Sequence, residues 1–157
     1  MKAFSLNEIK LELNESSHSR LLALCMRMAK YKKENKELIT YLLYHSHDEQ
    51  SYIELIKKEI GIAFNEINKT NNYYIKKSLR KILRFTNKYI KYSGNPQTET
   101  ELLIYFCQKI KDSDIEINAT QALNNIYLNQ MKRITKAMSK LHEDLQFDYN
   151  REFDAIK

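Results

Sequence analysis

Along most of this chain apolar residues return every three or four positions, the spacing that lines one face of an α-helix. Ser5 and Glu8 form a capping box, in which hydroxyl and carboxylate satisfy backbone N–H groups at a helix start, and a short first helix is predicted to about Leu13. Asn14-Glu15-Ser16-Ser17 interrupts the pattern, and Ser17 can cap a second helix that carries Leu21, Leu22, Leu24, Cys25, Met28 and Ala29 and ends near Tyr31. Leu38, Ile39, Tyr41, Leu42, Leu43 and Tyr44 are apolar nearly all round the following helix, which predicts a central third helix buried on most sides.

After the junction His45-Ser46-His47-Asp48, the residues Ile53, Ile56, Ile60, Phe64 and Ile67 mark a fourth helix. A fifth carries Ile75, Leu79, Ile82, Leu83, Thr86 and Ile90 on one side and is stopped by Ser93-Gly94-Asn95-Pro96. Thr98 and Glu101 read as a second capping box, opening a sixth helix with Leu102, Leu103, Tyr105, Phe106, Cys107 and Ile110 inside. Beyond an acidic loop from Asp112 to Asn118, Tyr127, Met131, Ile134, Met138, Leu141 and Leu145 predict one long helix breaking near Phe147. That seam is too short to make a coiled coil the first choice, so it is expected to pack within its own domain.

Composition narrows the fold class. Two glycines and one proline are too few for the turns of a sheet-rich chain, and 43% hydrophobic with 29% charged residues suits a folded protein. The expectation is one all-α domain over residues 1–157: an irregular antiparallel bundle or short helical superhelix of about six to eight helices. No 30–45-residue repeat marks a regular solenoid. The longest apolar run, Leu38 to Tyr44, falls far short of the ~20 residues that cross a bilayer, and the start of the chain lacks a targeting pattern. A cytoplasmic protein without a transmembrane span is expected, with Cys25 and Cys107 as buried, unpaired thiols.

Charge adds one asymmetry. The net charge is +6, yet between Ile67 and Thr98 there is no acidic residue at all, while Lys69, Lys76, Lys77, Arg80, Lys81, Arg84, Lys88 and Lys91 lie there. Those eight of the 26 basic residues leave 18 against 20 acidic ones elsewhere, so the basic character belongs to one helix, about residues 72–93. Most of these cations lie opposite its apolar side, and Tyr74, Phe85 and Tyr92 fall on a flank between the two. Cations beside aromatic rings suit phosphates and unpaired bases, so an acidic macromolecule, nucleic acid or protein, is the expected partner. A basic amphipathic helix also suits an anionic membrane surface, and the plain reading of the lysines is a solvated helix face.

Other chemistry is thinly represented. Two isolated glycines cannot build a phosphate-cradling loop, and no nucleophile elbow or Cys-x-x-Cys pair occurs. His45, His47 and Asp48 are candidate metal ligands, with His142-Glu143-Asp144 a later polar group; the simpler role of Asp48 is to cap the fourth helix. His18, His47-Asp48 and Asp144 are similar in type to the ligand set of HD-type metal phosphohydrolases. Glu49-Gln50-Ser51 stands where that family has an apolar residue and a glycine, so four residues identify no family. The expected function is a non-enzymatic binding domain without a cofactor. The alternatives are a metal-dependent hydrolase at the His45–Asp48 junction and a structural adaptor or homo-oligomer using the Tyr127 to Leu145 seam.

Overall fold

The computed structural model describes residues 2–157. Among them the chain forms eight α-helices, one short 3-10 turn and no strand, an all-α architecture. The helices are α1 Leu6–Asn14, α2 His18–Tyr31, α3 Lys33–Tyr44, α4 Glu49–Asn65, α5 Asn72–Ser93, α6 Pro96–Asp112, α7 Gln121–Met138 and α8 Glu143–Ala155, with the 3-10 turn at Ile117–Ala119. None of the described helices is long and apolar enough to cross a membrane. The span 1–157 comprises two compact units, Met1–Tyr44 and His45–Lys157.

In the first unit the predicted caps are present. Ser5 Oγ accepts from the Glu8 N–H at 3.3 Å while the Glu8 carboxylate accepts from the Ser5 N–H at 2.8 Å, and Ser17 caps α2 through the Arg20 N–H. The burial expected there is not. Leu42, Leu43 and Tyr44 are exposed, and Tyr41 is the one large apolar side chain of the described unit that is buried. Within the unit α3 packs on α2, and a single neighbour cannot cover a helix that is apolar nearly all round. Cys25 is likewise exposed, contrary to the buried thiol expected, whereas Cys107 is buried.

The central helix is α6. It packs against α4, α5, α7 and α8, and Leu102, Leu103, Phe106, Cys107 and Ile110 are almost completely buried on it. Phe106 meets Phe64 of α4 edge-on, ring centroids 5.5 Å apart. A face seen by four neighbours removes more apolar surface from water than one seen by a single helix, at about 25 cal/mol per Å². The stripes predicted for α4 and α5 form the other walls: Ile53, Ile56, Ile60 and Phe64 from α4, with Ile75, Leu79, Ile82, Thr86 and Ile90 from α5.

Two predicted boundaries shift. Helix α6 starts at Pro96, not at Thr98: Asn95 is the cap, its side chain accepting from the Gln97 N–H at 2.9 Å, and Pro96 sits where a missing N–H costs nothing. Thr98 and Glu101 are instead drawn into contacts between helices. The Thr98 and Ser93 hydroxyls both donate to the Glu49 carboxylate, while Glu101 accepts from Lys57 and Tyr149. The late helix breaks at Ser139–His142, not near Phe147, because His142 caps α8 by accepting from the Asp144 N–H. The Tyr127, Ile134 and Met138 side chains are buried, so this seam packs in its own unit.

Candidate functional site

The chain builds α5 with clear ends. Asn71 accepts from the Tyr73 and Tyr74 N–H groups at 3.0 and 3.1 Å. At the other end Gly94 takes φ 65°, a left-handed conformation open to glycine, and its N–H closes on the Ile90 carbonyl at 2.9 Å. Between them 22 residues rise about 33 Å. The one polar side chain on the buried side, Thr86, donates to the Ile82 carbonyl at 3.0 Å and leaves nothing unsatisfied.

At about 100° per residue the solvent side of α5 divides into two flanks. On the first, an open groove of about 540 Å³ is lined by Tyr73, Lys76, Lys77, Arg80, Arg84 and Asn87. Lys91 continues the same row one turn past Asn87. Lys77, Arg80, Arg84 and Lys91 are exposed, Lys76 is half-buried, and its ammonium lies 5.8 Å from the centre of the Tyr73 ring. Among the described residues no ion pair engages Lys77, Arg80, Arg84 or Lys91. Arg133 of α7 donates to Asn87 at 2.6 Å, fixing that amide at the edge of the groove, and is itself neutralised by Glu99 at 2.7 Å.

The second flank is aromatic. Phe85 and Tyr92 both pack against Tyr89, at 4.7 and 5.6 Å between centroids, and Tyr52 of α4 donates to the Tyr89 carbonyl at 3.0 Å. Lys88 lies over the Tyr89 ring at 4.5 Å. Phe85, Tyr89 and Tyr92 are half-buried and Tyr52 is buried, the usual use of boundary aromatics between two helices. Tyr74 is exposed and stands edge-on to Tyr73. Lys81 lines a different groove, opposite Glu59 and Glu66, and Lys69 donates to the Ser113 carbonyl at 2.6 Å.

The ten residues predicted for this face therefore fall into separate groups. Lys76, Lys77, Arg80, Arg84 and Lys91 share a row; Phe85, Tyr92 and Lys88 belong to the aromatic flank; Lys81 faces acidic neighbours; Tyr74 borders the row through Tyr73. Tyr73 is the member that sequence reasoning missed. Its position 100° from Asn72, level with Arg80 and Arg84, was the available signal.

The junction before α4 does other work. Asp48 caps α4, accepting from the Ser51 N–H at 3.1 Å and the Ser51 hydroxyl at 2.6 Å, and those bonds hold its carboxyl below the ordinary carboxylate range. His45 packs near the Tyr52 ring at 5.9 Å. His47 is exposed, and His142 is held as the α8 cap beside Asp144. Among the described residues no three His, Cys, Asp or Glu side chains gather in a way that could hold a metal ion. Comparison with protein-family models, with curated proteins and with solved structures gives no match.

Proposed function

We propose that this chain is a non-enzymatic binding protein that meets single-stranded nucleic acid along the basic row of α5. The observation that carries the reading is the row itself: Lys76, Lys77, Arg80, Arg84 and Lys91 on one flank, four of them exposed and without a carboxylate partner among the described residues. Five cations over 15 residues span about 22 Å of helix. Releasing counterions from a phosphate chain rewards such an array.

Tyr73 favours an unpaired strand over a duplex. Its ring is 61% exposed inside the cationic groove, a surface on which a base can stack once phosphates are held by Arg80 and Arg84. Asn87, fixed by Arg133, adds an amide able to donate or accept at the groove edge.

The test is fluorescence anisotropy of labelled single-stranded RNA and DNA across a salt series. With about five phosphate contacts, log K against log salt should have a slope of about −3 to −4. Reversing Lys77, Arg80 and Arg84 to Glu should remove binding while helicity is unchanged. An absence of binding at low salt would make this flank ordinary solvated surface.

A further inference from the structure

The Met1–Tyr44 unit exposes far more apolar surface than it buries. Thirteen large apolar side chains on or beside α1, α2 and α3 are exposed, against one that is buried. At roughly 80 Å² each, the ten of them on or beside α1 and α2 present on the order of 800 Å², spread over more than one face. Helix α2 shows the imbalance most clearly. Its apolar side chains occupy about 220° of the circumference at 100° per residue, but only Leu21 and Ala29 in that arc are half-buried. Leu22 and Met26 on one side, and Leu24, Met28 and Tyr31 on the other, face solvent.

From this we infer that the chain forms a homodimer through α1 and α2, the second copy supplying the cover that the unit lacks. Two observations select a second copy. The first is charge. Helix α1 and its cap carry Glu8, Glu12 and Glu15 against a single Lys10, whereas α2 carries Arg20, Arg27 and Lys30 and no acid. In a twofold dimer, α1 of one protomer running along α2 of its partner meets the opposite charge, and the symmetry repeats that contact once more. The second is area. A stable interface takes about 800 Å² from each partner, and the exposed apolar surface here reaches that amount. An open groove of about 530 Å³ between α1 and α2, lined by Phe4, Ile9, Leu13 and Leu24 with Glu12 and Arg20 at its rim, gives an apolar anchor from the partner a seat.

Sedimentation velocity of the full chain from about 1 to 100 µM tests this. The wild type should sediment as a dimer, at twice the 18.8 kDa chain mass. Leu24→Glu with Met28→Glu changes two exposed side chains, so helicity by circular dichroism should stay constant while self-association weakens at least tenfold. Glu12→Lys and Arg27→Glu should each weaken the dimer alone, and mixing the two variants should restore it. The α5 triple reversal should leave the dimer intact, which separates this inference from nucleic-acid binding. A wild type that stays monomeric over the range overturns the inference. So does a monomer that instead binds vesicles containing phosphatidylserine, which would make the apolar surface a membrane face. A dimer indifferent to Leu24→Glu with Met28→Glu overturns it as well, because the interface would lie elsewhere.

Discussion

The Tyr149 hydroxyl of α8 donates a 2.5 Å hydrogen bond to the Glu101 carboxylate of α6, the same carboxylate that pairs with Lys57 of α4 at 3.0 Å. Three helices therefore meet at one nearly buried charge. Burial pushes the Glu101 pKa up, but hydrogen bonds from Tyr149 and Lys57 outweigh it and hold the group below its ordinary value of 4.5. The phenol is pushed the other way, first by burial and then by donating to a carboxylate.

A carboxyl whose folded pKa is depressed contributes stability above its unfolded pKa and loses it as pH falls through the folded value. Glu101→Gln should therefore cost about 1–3 kcal/mol near neutral pH, the range for a hydrogen-bonded charge losing its partners. The gap between wild type and variant should narrow below about pH 4.5. Urea unfolding at a series of pH values measures it, and a gap constant down to about pH 3 would show that the carboxylate is not held as the bonding implies.

Centrality of α6 leads to a contrast between two leucine-rich helices. Phe106 is fully buried against Phe64, so Phe106→Ala should cost about 3–5 kcal/mol. Leu43 on α3 is 64% exposed, and Leu43→Ala should change the stability of the isolated chain by no more than about 0.5 kcal/mol. Chemical denaturation of both variants, at concentrations low enough to disfavour self-association, reports the difference.

That contrast explains what the sequence made legible. Ser5, Ser17 and Asp48 act within three residues of themselves, so these helix starts could be read from local chemistry. The α4 and α5 stripes were readable for the same reason, since one-sided periodicity names the buried face. An all-round apolar helix such as α3 carries no such direction, and its exposure depends on how many neighbours the fold provides. Thr98 and Glu101 were misread because their true partners, Glu49, Lys57 and Tyr149, lie more than 40 residues away. The cationic row was visible as an acid-free stretch; its separation from Phe85 and Tyr92 required the α4 neighbour Tyr52 and the ring contacts at Tyr89.

The two glycines should respond oppositely to alanine. At Gly94 an added Cβ meets nothing within 4 Å, so Gly94→Ala suffers only from the left-handed backbone, at about 1 kcal/mol. At Gly61, inside α4, alanine gains up to about 1 kcal/mol of helix propensity. Its Cβ would lie 3.1 Å from the Tyr105 hydroxyl, the movable end of a half-buried side chain, which offsets part of that gain. Thermal unfolding should place Gly61→Ala at or slightly above wild type and Gly94→Ala about 2–4 °C below it.

The thiols should differ in reactivity. Cys25 is exposed on α2, whereas burial pushes the Cys107 thiol up to about 12 and removes it from solvent. A thiol reagent at neutral pH should modify Cys25 rapidly at dilutions that keep the chain monomeric, and Cys107 only on unfolding. Two fast thiols would place Cys107 outside the α6 core. If Cys25 is slow while dimer is present and fast in the Leu24→Glu with Met28→Glu variant, the same reagent also reports cover over α2.

Within the proposed nucleic-acid row, individual cations should not be equivalent. Arg80 and Arg84 line the same groove as Tyr73, and each can hold a phosphate oxygen through two donors. Replacing either with alanine should weaken binding about equally across sequences and reduce the salt slope by about 1. Lys81 is as exposed in sequence terms and sits next to Arg80, yet it turns toward the groove containing Glu59 and Glu66. Lys81→Ala should leave the slope unchanged. Tyr73→Ala should lower affinity for single strands by about 1–3 kcal/mol, the range for a lost base-stacking ring, without altering the slope, because it removes stacking and no charge. Anisotropy titrations of these four variants separate a phosphate row with a stacking platform from a diffuse positive field: equal losses at Lys81, Arg80 and Arg84, with none at Tyr73, would mean that only net charge matters.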